Sequence, residues 1–181
     1  MKNAVIIIDV QESFRKDESW ATISPPDIAE RCNTLVDAAG SRGDLIVWVL
    51  HTAPGSKGPF DMDSGHVVLL PELHNQATDL SVIKTSHNAF TTTNLDQQLR
   101  RAGVTHLTIA GIRTEQCVET TARIASDMGY SVEVVIDACA THPLPTADGL
   151  ATLSPKDITE RTAAALSGRF ARITTVAEFC S

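Results

Sequence analysis

Three side chains stand out by type and position: Asp9, directly after the apolar run Ala4 to Ile8; Lys84, at the end of a short β-branched run; and Cys117, in the first turn of a helical segment opening at Thr114. A thiol attacks carbonyl carbon as thiolate, and the unpaired N–H groups of a helix N-terminus lower its pKa from about 8.5. The same N–H groups, with that of Arg113 or Thr114, can cradle the oxyanion formed on attack. A neighbouring acid can take the thiol proton and pass it to a leaving amine, while a cation beside it fixes its charge state. Taken singly, each residue has a plainer reading: a buried small hydrophobe, a strand-end cap, a solvated edge charge. Their coincidence favours the chemistry.

Such a site needs elements that gather three remote stretches. Six runs read as strands: Ala4 to Ile8, Leu45 to Leu50, Leu80 to Ile83, Leu107 to Ala110, Val132 to Ile136 and Ala171 to Val176. They alternate with segments of helical period, the pattern of an α/β chain with a largely parallel sheet covered on both faces. Ser24-Pro25-Pro26-Asp27 offers a helix start with Ile28, Cys32, Leu35, Val36 and Ala39 as its inner stripe. Thr93-Asn94-Leu95-Asp96 and Ser154-Pro155-Lys156-Asp157 offer two more. In an open parallel sheet, ligands bind beyond the carboxyl ends of the strands, where Asp9, Lys84 and the turn before Cys117 all lie. The connections 52–79 and 141–153, rich in Pro, Gly and His, read as pocket-shaping loops.

A length of 181 residues suits one domain spanning 1–181. Fifteen Lys and Arg against 22 Asp and Glu leave a net charge of -7, the wrong sign for a nucleic-acid backbone binder. No apolar run is long enough to span a bilayer or form a signal-peptide core, so a cytoplasmic protein without a membrane partner is expected. Cys32, Cys117, Cys139 and Cys180 lack CxxC spacing, which suits reduced thiols. Gln11, where magnesium phosphatases need a second acid, removes that class. The missing GxGxxG after the first strand removes dinucleotide binding.

The segments Asp9-Val10-Gln11-Glu12-Ser13-Phe14, Lys84-Thr85-Ser86-His87-Asn88-Ala89-Phe90 with Thr93-Asn94-Leu95, and Gly111-Ile112-Arg113-Thr114-Glu115-Gln116-Cys117-Val118 with Thr121-Ala122 together resemble the isochorismatase-like cysteine hydrolases. The resemblance covers essentially the whole chain. It implies a three-layer α/β/α fold with a six-stranded, mainly parallel sheet of order 3-2-1-4-5-6. It also implies a Cys117, Asp9 and Lys84 triad cleaving small amides or related carbon–nitrogen bonds through a thioester. In that order Lys84 lies two strands from Asp9, about 10 Å at ~4.8 Å per strand, so its side chain has to lean across the sheet edge.

The resemblance further implies a non-proline cis peptide between Ile112 and Arg113, with the oxyanion hole at Ile112, Arg113 and Cys117. Arg113 and Glu115 depart from the smaller or shorter residues common there. Nicotinamidases of this superfamily hold a metal with an Asp-x-His pair, but Val49 precedes His51 here, so neither metal nor cofactor is expected. Phe14, Phe90, His51 and Cys139 are candidate pocket walls. A small-molecule substrate and a homo-oligomer complete the expectation. The alternatives are an enol-ether hydrolase of the isochorismatase type, and a metabolite-binding or redox-sensing member without turnover.

Overall fold

The computed structural model describes residues 2–181. Its main sheet has six parallel strands: β1 (Lys2–Ile8), β2 (Leu45–His51), β3 (Leu80–Lys84), β4 (Val104–Ile112), β5 (Ser131–Ala140) and β8 (Arg172–Thr174). Their order is β3-β2-β1-β4-β5-β8, the expected arrangement. The outer strand is β8 because segment 141–153 contains a separate antiparallel hairpin, β6 (Leu144–Pro145) with β7 (Thr152–Leu153).

Because successive side chains point to opposite faces, β1 feeds two cores at once. Val5 and Ile7 pack with Ile28, Cys32, Leu35, Val36 and Ala39 of α2 (Ile28–Arg42). On the other face Ala4, Ile6 and Ile8 meet Leu95 and Leu99 of α3 (Leu95–Arg101) and Ala122 and Ala125 of α4 (Glu119–Asp127). Leu166 of α5 (Pro155–Leu166) joins this second face, giving three layers. The remaining helices are a single turn, α1 (Glu12–Arg15), and the C-terminal α6 (Val176–Cys180).

Four local expectations are revised. Helix α2 starts at Ile28 with Asp27 at its N-cap, while Ser24 pairs antiparallel with Thr141, donating its N–H to Thr141 O at 2.8 Å. The last strand ends at Thr174 because Thr175 caps α6 in a reciprocal box with Glu178. Strand β5 runs on to Ala140, with a register shift against β4 between Ile109 and Gly111. Thr114–Val118 form a π-helical turn rather than opening α4 directly, with Val118 N–H reaching back to Arg113 O at 3.2 Å. Such widened turns are frequent at functional sites.

The carboxyl ends of β1 and β4 approach very closely. Gly111 pairs with Ile8 at φ +127°, and a Cβ built there would lie 2.1 Å from Ile8 O and 2.6 Å from Ile8 N. Those are backbone atoms, fixed by the sheet. Gly111→Ala is therefore expected to lower stability by more than about 4 kcal/mol, or to give insoluble protein; a urea midpoint close to that of the parent would contradict this account.

Candidate active site

Beyond these strand ends, Asp9 adopts a left-handed backbone conformation (φ 55°) and donates its N–H to Val49 O at 2.8 Å. Aspartate tolerates this region better than most residues. The turn aims the carboxyl across the end of β2. Lys84 aligns with His51 in the β2–β3 register, and its side chain crosses the same gap. Its Nζ lies 2.8 Å from Asp9 Oδ2, 3.4 Å from Cys117 Sγ and 3.4 Å from His51 Nδ1. The two-strand separation is closed by the full reach of a lysine. Lys84 has no exposed surface and Asp9 is 1% exposed.

An ammonium has three N–H donors and no acceptor, and here each direction meets one partner. Asp9 Oδ1 is left buried with no hydrogen-bond partner. Burial pushes the Asp9 pKa up, against the opposing pull of Lys84. Burial, then the Asp9 charge, pushes the Cys117 thiol up to about 12, although Lys84 opposes it. Burial and the Asp9 charge thus act against the lowering expected from the helix end. The sulfur rests as a thiol beside a desolvated carboxylate.

Asp9, His51 and Cys117 line a cavity of about 550 Å³, while Lys84 is buried behind them. Phe14 and His51 line it as expected, with Phe14 set edge-on to Phe60 at 4.9 Å between ring centroids. Phe90 and Cys139 do not line it. Asn88 Oδ1 accepts from Phe90 N–H at 2.9 Å in a tight turn, and the ring lies inward in the core beside Tyr130. Cys139, past the β5 register shift, gives its thiol to Val135 O at 3.3 Å within the core. Ile112 is buried against the α2 layer; Arg113 reaches the cavity and pairs with Glu115 at 3.0 Å. The peptide between Ile112 and Arg113 is cis.

Sequence reasoning missed Phe60 and His87 as cavity walls and overlooked a support, Gln11. Gln11 is fully buried, and its amide accepts from His51 N–H at 2.7 Å and donates to His51 O at 2.9 Å. A side chain thus extends the β1–β2 ladder by one rung. The signal available was an amide two residues beyond a strand-end acid. Around it, Glu12 N–H binds Val68 O, Leu70 N–H binds Val10 O and Ser13 Oγ donates to His66 O, which ties the loop 52–79 to the end of β1.

Among the described residues, no three His, Cys, Asp or Glu side chains gather as a metal-holding group, and no helix is long and apolar enough to cross a membrane.

The fold and this constellation at its strand ends belong to a known class. Residues 3–178 match the isochorismatase domain model, and the chain is a member of the isochorismatase family, a hydrolytic family. Streptothricin hydrolase of Streptomyces noursei is 32% identical over 163 residues, covering 88% of this chain but 63% of that longer protein. Ureidoacrylate amidohydrolase RutB of Rhizobium rhizogenes is 26% identical over 219 residues, covering 99% of this chain and 82% of the relative. The crystal structure of a cysteine hydrolase from Pseudomonas syringae superposes with a TM-score of 0.87 at 25% identity, covering 99% of this chain and 91% of that one.

Removing one member of a buried ion pair leaves the other uncompensated, at a cost of about 3–5 kcal/mol. Lys84→Met is expected to lose that much at neutral pH. The deficit shrinks as pH falls, because the stranded Asp9 carboxyl takes up a proton and its charge disappears. Urea unfolding of both proteins across pH checks this, and a deficit that is flat or grows toward acid contradicts it.

Proposed function

We propose that this protein is a cysteine-dependent hydrolase of small amides or related carbon–nitrogen compounds, working through a thioester on Cys117 with Asp9 as base and Lys84 as the fixed cation. The observation that carries the reading is the buried Lys84 ammonium, within hydrogen-bonding reach of both the Asp9 carboxylate and the Cys117 sulfur on the floor of one cavity. The amidohydrolase and cysteine hydrolase among the similar proteins support it.

A thiol with a pKa near 12 is not a standing nucleophile, so its proton leaves as sulfur attacks the carbonyl carbon. Asp9 Oδ1, desolvated and without a partner, is the acceptor at hand. The raised Asp9 pKa makes it a stronger base than an exposed carboxylate. Backbone N–H groups at Arg113 and Cys117 stabilise the tetrahedral oxyanion. Asp9 returns the proton to the departing amine, and the carbon–nitrogen bond breaks to leave the thioester. Asp9 then takes a proton from water, whose oxygen attacks the thioester carbonyl, and the thiol is restored with release of the acid. Lys84 holds Asp9 in place throughout. The cavity volume suits a small molecule.

Ammonia release over a panel of small amides, ureas and carbamoyl compounds, with isochorismate as a control, is the direct test. Cys117→Ala and Asp9→Asn are each expected to lower turnover at least ~10³-fold; near-normal rates in either variant would remove the scheme. Because the base acts ionised and its pKa is raised, kcat/KM falls toward acid through an apparent pKa above 3.8. A profile that stays flat down to pH 4 contradicts the assignment of Asp9.

A further inference from the structure

His51 touches the same ammonium that serves Asp9 and Cys117, and the scheme above gives it no task. Its backbone is pinned on both sides by the Gln11 amide, so the ring position is built rather than incidental. Its Nδ1 stands 3.4 Å from Lys84 Nζ. An ammonium has nothing but protons to offer, so Nδ1 is the accepting nitrogen and the ring proton sits on Nε2. Among the described residues Nε2 has no hydrogen-bond partner, and the ring lines the cavity.

We propose that His51 is a substrate-binding residue of this site: its Nε2–H, oriented by the Lys84 contact at Nδ1, donates to an acceptor oxygen on the substrate's amide or ureido group and holds that group over Cys117. This rests on the hydrolase reading, which supplies the amide. The charged and titratable groups about the ring are Lys84, His87 and, through Lys84, Asp9 and Cys117. Burial, then Lys84 and His87 nearby, pushes the imidazole down to about 4, so the ring is neutral near pH 7. So weakly basic a ring suits a hydrogen-bond donor better than a proton carrier. Phe60, with its ring centroid 6.0 Å from that of His51, walls the same side and confines a planar group against the donor.

Two measurements test the assignment without a known substrate. In ¹⁵N-labelled protein, the His51 ring is expected to show a protonated Nε2 and a bare Nδ1 from pH 6 to 9; the opposite tautomer or an imidazolium overturns it. The second probe is iodoacetamide, whose carboxamide carries the acceptor, set against methyl methanethiosulfonate, which lacks a carboxamide. At pH 8, mass spectrometry follows Cys117 modification, with exposed Cys180 as the internal control. His51→Phe is expected to slow the iodoacetamide reaction at Cys117 about tenfold, a worth of ~1.4 kcal/mol, and His51→Gln, which keeps an N–H donor, to recover most of it.

The methanethiosulfonate rate is expected to stay within about twofold. Equal losses with both reagents mean that His51 acts on the thiol alone and overturn the proposal, as does no loss with either. A retained rate of amide hydrolysis in Cys117→Ala, by contrast, defeats the hydrolase reading and leaves the tautomer result standing.

Discussion

A fully buried lysine paired with a fully buried aspartate is the constraint around which this molecule is arranged. Bringing both charges out of water is costly, and close geometry is what offsets it. Lys84 meets that demand with partners drawn from three other stretches of the chain: the turn after β1, the end of β2 and the π turn after β4. Each of those stretches is in turn fixed by something local. Asp9 is fixed by its left-handed turn, His51 by the Gln11 amide, and Cys117 by a turn whose approach requires a glycine at position 111.

The outcome differs from a site that works by stabilising thiolate in advance. Desolvation dominates both acidic groups, holding sulfur as a thiol and raising the affinity of the carboxylate for protons. The two shifts point the same way because one dry environment acts on both. In the proposed scheme proton movement is coupled to attack, and the unpartnered Asp9 Oδ1 is the atom that would carry that coupling.

Much of this was legible in the chain. The unbroken apolar run of β1 announced a strand covered on both faces, and Ser154-Pro155-Lys156-Asp157 announced the capping box found at α5. Asp9, Lys84 and Cys117 were recognisable because each sits where strand gives way to turn. What failed was decided at long range. Ser24 is drawn into pairing with Thr141, far along the chain, and the N-cap of α2 falls at Asp27. Cys139 turns into the core because β5 shifts register against β4, and Phe90 because Asn88 folds a tight turn before it. The α6 cap at Thr175 and Glu178 was present in the sequence but lay under an apolar run that read as strand.

The Gln11 amide holds the end of β2 to the end of β1, where the long pocket-lining loop begins. Hydrogen bonds near 66–70 fasten one end of the long loop to β1, Thr52 N–H bonded to Lys84 O fastens the other, and Ala53 N–H bonded to Phe60 O closes residues 54–59 into a turn of their own. In descendants of this chain that span can lengthen, shorten or change its side chains while Asp9, Lys84 and Cys117 keep their spacing. Novel selectivity is thus open to drift at little risk to the underlying chemistry.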